Sequence, residues 1–80
     1  MKDIKITISG NTIENMIDGY AKHKALYLVS FDKGDEESTE TMMNVSFCQA
    51  YEDWFSVIGI SIASEMVQRK LQEYYYKYRH

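Results

Sequence analysis

The side chains that could do chemistry in this 80-residue chain are few, and their spacing is informative. Cys48 is the single cysteine, and the histidines are His23 and His80. A thiol held beside an imidazole is a nucleophile–base pair, but nothing in the sequence brings Cys48 to either histidine. Cys48 falls in the first turn of an expected long helix, where the dipole favours a thiolate. One cysteine and two histidines without zinc-site spacing predict no metal centre. The segment "DKGDEESTE" (32–40) carries many carboxylates, yet lacks the ligand alternation and central glycine of a calcium loop. "SGNT" (9–12) offers one glycine before a helix start, which a turn explains as well as an anion site does. No phosphate loop or cofactor motif is visible, and catalytic residues, cofactor and metal are all expected to be absent. The residues point to contact, not catalysis.

Charge is unevenly spread. The net charge is -3, but residues 32–53 hold seven acids against Lys33 alone, while residues 69–80 hold Arg69, Lys70, Lys77 and Arg79 against Glu73. An acidic middle with a basic end disfavours strong nucleic-acid binding. The mean hydropathy is -0.42 and the longest apolar runs are short, so no membrane span is predicted. A lone thiol without signal-peptide features predicts a cytoplasmic setting. With 45% apolar and 14% aromatic residues the chain should fold. Eighty residues predict one domain (1–80) near the lower limit of a self-sufficient core. No intrachain disulfide can help it, which makes a homo-oligomer, with a dimer the simplest form, the expected remedy.

The elements that must position these residues are read from periodicity. "IKITI" (4–8) alternates as a strand, with Ile4, Ile6 and Ile8 on one face. "NTIENMIDGYAKH" (11–23) takes a helical period, with Asn11 and Glu14 at capping-box spacing and Gly19 weakening or ending the helix. "ALYLVSF" (25–31) and "TMMNVSF" (41–47) read as strands of an antiparallel hairpin, joined by the extended, mobile acidic loop. From Ser46, which pairs with Gln49 as a second capping box, an apolar stripe of three- and four-residue steps predicts a C-terminal helix to Tyr78. It would be about 48 Å long if unbroken. Gly59, inside "VIGISI" (57–62), allows a kink or a short strand there. The expected fold is therefore a small α+β domain, β-α-β-β-α, ending in a long amphipathic helix.

That stripe outruns a three-stranded sheet, so Ile62, Met66, Val67, Leu71, Tyr74 and Tyr78 are the candidate oligomer interface. In the tail "LQEYYYKYRH" (71–80), Tyr76 falls on the opposite face as an exposed aromatic. Asp32, Asp35, Glu36, Glu37 and Glu40, together with Tyr76, form the candidate partner-binding set, suited to a protein with a basic surface. The leading functional expectation is a non-enzymatic inhibitor that acts by occupying a partner. In size and composition, though in no motif, the chain is similar to phage and mobile-element inhibitors of host defence, including anti-CRISPR proteins. A second expectation is an oligomeric small-molecule or nucleotide binder that sequesters a signal, using Lys22, Lys24, Arg69, Lys77 and Arg79 around the anion. A third is a housekeeping assembly or regulatory subunit that docks through its helix.

Overall fold

A computed structural model describes residues 10–35 and 37–79, and its architecture is three helices: α1 (Gly10–Asp32), α2 (Thr39–Ile58) and α3 (Glu65–Arg79). The described residues contain no strand, so the expected α+β fold is corrected to an all-α one. The expected strand at 4–8 lies outside the described residues. The other two strands are helix: 25–31 completes α1, and 41–47 opens α2.

The reason lies in which residues turn inward. Ile17, Ala21, Ala25 and Val29 form an unbroken four-residue ladder, all buried, that carries the α1 helix past Gly19 and through the supposed strand. Gly19 does not end the helix. A Cβ at that position would stand 3.0 Å from Cζ of Tyr51 and closer still to its hydroxyl, so glycine admits a ring from α2. At the start of α2 the inward residues are polar: Thr41 and Asn44 are buried along with Cys48. Each has a partner. The Thr41 hydroxyl donates to the Asp35 carbonyl at 2.8 Å, and the Asn44 side-chain oxygen lies 2.9 Å from Nδ1 of His23.

Helix ends are set locally. Ser38, not Ser46, caps α2, its Oγ accepting from the Thr41 amide at 3.1 Å. Ser46 sits mid-helix and donates its hydroxyl to the Met42 carbonyl. Asn11 lies within α1. The single long helix expected from residue 46 is broken at Gly59, which is left-handed at φ 81° and closes α2, while the Ile60 amide bonds the Phe55 carbonyl at 2.8 Å. The segment 57–62 is accordingly the end of α2 followed by a turn, not a strand. Ser64 then opens α3, its carbonyl accepting from the Gln68 amide at 3.0 Å.

The α1 helix is the middle layer. It packs on both α2 and α3, whose backbones make no direct contact with each other. The α2 helix runs antiparallel to α1, pairing His23 with Asn44 and Tyr20 with Glu52, and α3 returns parallel to α1. The result is a flat, elongated body of 50 × 24 × 17 Å with a radius of gyration of 14.2 Å. A compact chain of this length would have a radius of gyration of about 12 Å. The core gathers where all three helices meet, around Ile17, Tyr20, Cys48, Phe55 and Val67. Phe55 and Val67 are fully enclosed. The rings of Tyr20 and Phe55 meet edge-on at 5.5 Å, which adds directional packing to their burial.

Candidate functional site

Three of the nine residues of the acidic segment, Asp32, Thr39 and Glu40, belong to α1 and α2, and hydrogen bonds tie the described backbone between them to both helices. The Asp35 amide bonds the Ser30 carbonyl at 2.8 Å, and the Ser38 hydroxyl donates to Oγ1 of Thr41 at 2.8 Å. Thr41 in turn holds the Asp35 carbonyl. Bonds therefore hold the backbone at Asp35 and at Ser38, while Asp32, Asp35, Glu37 and Glu40 are exposed residues. Glu36 lies outside the described residues.

The last turns of α3 come to the same end of the molecule. The Tyr75 hydroxyl donates to the Asp32 carboxylate, and this bond raises the Tyr75 phenol above its ordinary pKa. Leu28, Asp32, Leu71, Gln72, Tyr75 and Tyr76 line a shallow groove of about 280 Å³. Tyr76 is exposed there, and so is Phe31, one residue before Asp32. The structure thus brings together Asp32 and Tyr76, which the sequence placed in one set without a spatial reason. Four exposed carboxylates and two exposed rings share one tip. Phe31 was missed because it was read as the last residue of a hairpin strand.

The remaining tail residues are largely engaged within the chain. Val67 is enclosed, and Leu71 and Tyr74 are half-buried. The Tyr74 hydroxyl donates to Asp18 at 2.6 Å, which lifts its phenol to about 12. Tyr78 stacks on Tyr74 with ring centres 5.7 Å apart. Of the six candidate oligomer residues, only Ile62 and Met66 are exposed.

The five cations considered for an anion site are spread along the molecule. Lys22 and Lys24 lie midway along α1, with the Lys24 amine 5.4 Å from the Tyr27 ring centre. Arg69, in α3, is bonded to Glu65 at 2.6 Å. Lys77 and Arg79 occupy the last turn of α3, where cations offset the free carbonyls.

Cys48 and His23 do not form a nucleophile–base pair: the described His23 bond goes to Asn44, and the ring stacks on Phe47 at 4.6 Å. Cys48 lies well inside α2, not in its first turn. Burial pushes its thiol up to about 11 despite the opposing charge of Lys24. Such a thiol is protonated, and a poor nucleophile, at neutral pH. Among the described residues, no three His, Cys, Asp or Glu side chains are grouped to hold a metal. Nor is any described helix long and apolar enough to cross a membrane.

A second surface was not foreseen. Along α2, Met43, Phe47, Trp54 and Val57 are all exposed although apolar. The first part of the apolar stripe expected from residue 46 onward is in fact two stripes. Tyr51, Phe55 and Ile58 pack in the core, Trp54 turns outward, and Phe47 lies at the border, half exposed with one side stacked on His23. The steps 43–47–50–54–57 were present in the sequence, and treating 41–47 as a strand hid them.

Comparison with known proteins adds no relative: no protein-family model, curated protein or solved structure matches the chain.

Proposed function

We propose that this chain is a non-enzymatic binding protein that occupies a basic surface on a protein partner through its acidic tip. The observation that supports this most is the convergence of Asp32, Asp35, Glu37 and Glu40 with the exposed rings of Phe31 and Tyr76. Carboxylates steer a cationic partner and select it, while aromatic side chains supply the desolvated anchors that hold it. The bonds that hold Asp35 and Ser38 lower the ordering cost of binding. Inhibition by occupancy, as in a phage or mobile-element anti-defence protein working in the cytoplasm, is the biological role that fits such a tip.

The test is affinity capture from a cell extract with the wild-type chain and with a variant carrying Asp35→Lys, Glu37→Lys and Glu40→Lys. All three side chains are exposed, so helix content should be unchanged by circular dichroism. A partner with a basic surface should be captured by the wild type, lost with the variant and released by salt. Equal capture by both proteins would reject the acidic tip as the binding site.

A further inference from the structure

The unforeseen stripe on α2 has a specific geometry. Met43, Phe47, Ala50, Trp54 and Val57 follow one another at steps of four, three, four and three residues. This is the seam spacing of a coiled coil. All five are exposed, Met43 and Trp54 at 54%, Phe47 at 46% and Val57 at 80%. The neighbouring stripe, Asn44, Cys48, Tyr51, Phe55 and Ile58, faces inward, so α2 carries two adjacent contact faces; among the described residues the other helices cover the inner one and reach the outer one where His23 stacks on Phe47.

We infer that the outer face of α2 pairs with the same face of a second copy, antiparallel, about a two-fold axis at Ala50. Three observations select this occupant. The seam is nearly a palindrome: a small residue at the centre, an aromatic residue on each side, then Met43 and Val57 at the ends. A two-fold axis therefore sets Ala50 against Ala50, Phe47 against Trp54 and Met43 against Val57, large residues beside large ones around a close central approach.

Charge selects the antiparallel direction. The charged residues of α2 are Glu40, Glu52 and Asp53, all acidic. A parallel pair would place each acid beside its own copy and both acidic turns at one end. The antiparallel pair sets Asp53 near Phe47 of the other copy and Glu40 near the turn at Gly59. The acidic turns then stand at opposite ends, roughly 33 Å apart along the axis.

Area sets the strength. The stripe exposes on the order of 500 Å² per chain, so pairing covers about 1,000 Å² in all, just below the usual range for specific interfaces. The expected dissociation constant is micromolar or weaker. This pairing is independent of the acidic-tip reading, and it would make the protein bivalent, with one tip at each end.

Sedimentation velocity of the full chain between about 1 and about 300 μM tests the inference. The wild type should pass from monomer to dimer over that range. Ala50→Arg and Val57→Glu should remain monomeric with unchanged helix content. Direction is read by oxidative cross-linking in a Cys48→Ala background. Ala50→Cys should join two copies, whereas Met43→Cys should not, because its copies lie roughly 21 Å apart along the axis. A wild type that is monomeric throughout overturns the inference. So does a dimer that survives Ala50→Arg, or cross-linking through Met43→Cys as efficient as through Ala50→Cys.

Discussion

The helices α2 and α3 flank the same central helix and are both amphipathic, but they differ in what their own chain covers. The α3 helix directs its apolar stripe onto α1 and fastens the edges with hydroxyl–carboxylate bonds, Tyr74 to Asp18 and Tyr75 to Asp32. The α2 helix is apolar over two adjacent faces, and α1 occupies one of them. A tyrosine-rich helix that looks adhesive as a sequence is thus largely tethered. A helix whose methionines and tryptophan look like ordinary core material leaves them in solvent. Composition marks where contact area is available, and the layer order decides which area is free.

The sharpest way to break this comparison uses neighbouring residues of α2. Phe55 is enclosed by all three helices, whereas Trp54, one position earlier, is half exposed. Phe55→Ala should cost about 3–5 kcal/mol, enough to unfold most molecules of so small a domain. Trp54→Ala should change the stability of the monomer by less than about 0.5 kcal/mol. Urea melts at low protein concentration, followed by circular dichroism, measure both. Similar losses at the two positions would show that the assignment of faces on α2 is wrong.

A smaller effect probes how α3 is fastened. Asp18→Asn weakens the acceptor for Tyr74 and removes the charge 4.0 Å from Lys70. Both groups are largely solvent-screened, so the cost should be about 1 kcal/mol. Alkali gives the same bond a signature. Tyr74 is held above its ordinary value of 10.0, so the stability it contributes is complete below pH 10 and is lost as pH rises through about 12. The buried Cys48 thiol adds an earlier loss between 9.0 and about 11, which Asp18→Asn should leave in place. Melting temperatures from pH 8 to 12 should therefore fall less steeply above pH 10 in the variant than in the wild type. Parallel curves would count against the bond.

The smallest effect concerns the break between the two helices. Gly59 is left-handed and has open space around it, so Gly59→Ala should cost about 1 kcal/mol through backbone strain alone. A gain in stability would indicate that 46–78 forms one continuous helix in solution.

Parts of this arrangement were legible in the sequence. The helical stripe through Phe55 and Ile58, the weak point at Gly59 and the acidic cluster at 32–40 follow from periodicity, glycine and charge. The strands were misread for two physical reasons. The apolar run "ALYLVSF" competes with a four-residue ladder that extends past Ala21 only when Ala25 is counted as core. Helical small residues carry that ladder, and hydrophobicity scarcely registers them. In α2 the inward positions Thr41 and Asn44 are polar, and their burial depends on partners at Asp35 and His23 that no local pattern reveals. The candidate site was legible as a list of residues but not as a place. Asp32 and Tyr76 meet only because α3 returns parallel to α1.

Trp54 is the single tryptophan, so its fluorescence reports directly on the outer face of α2. Acrylamide quenching of the wild-type chain should be strong at submicromolar concentration and should fall, with a blue shift in emission, as concentration rises through the micromolar range. Weak quenching even at the lowest concentration would place Trp54 inside the monomer's core and contradict the division of α2 into a covered and an uncovered face.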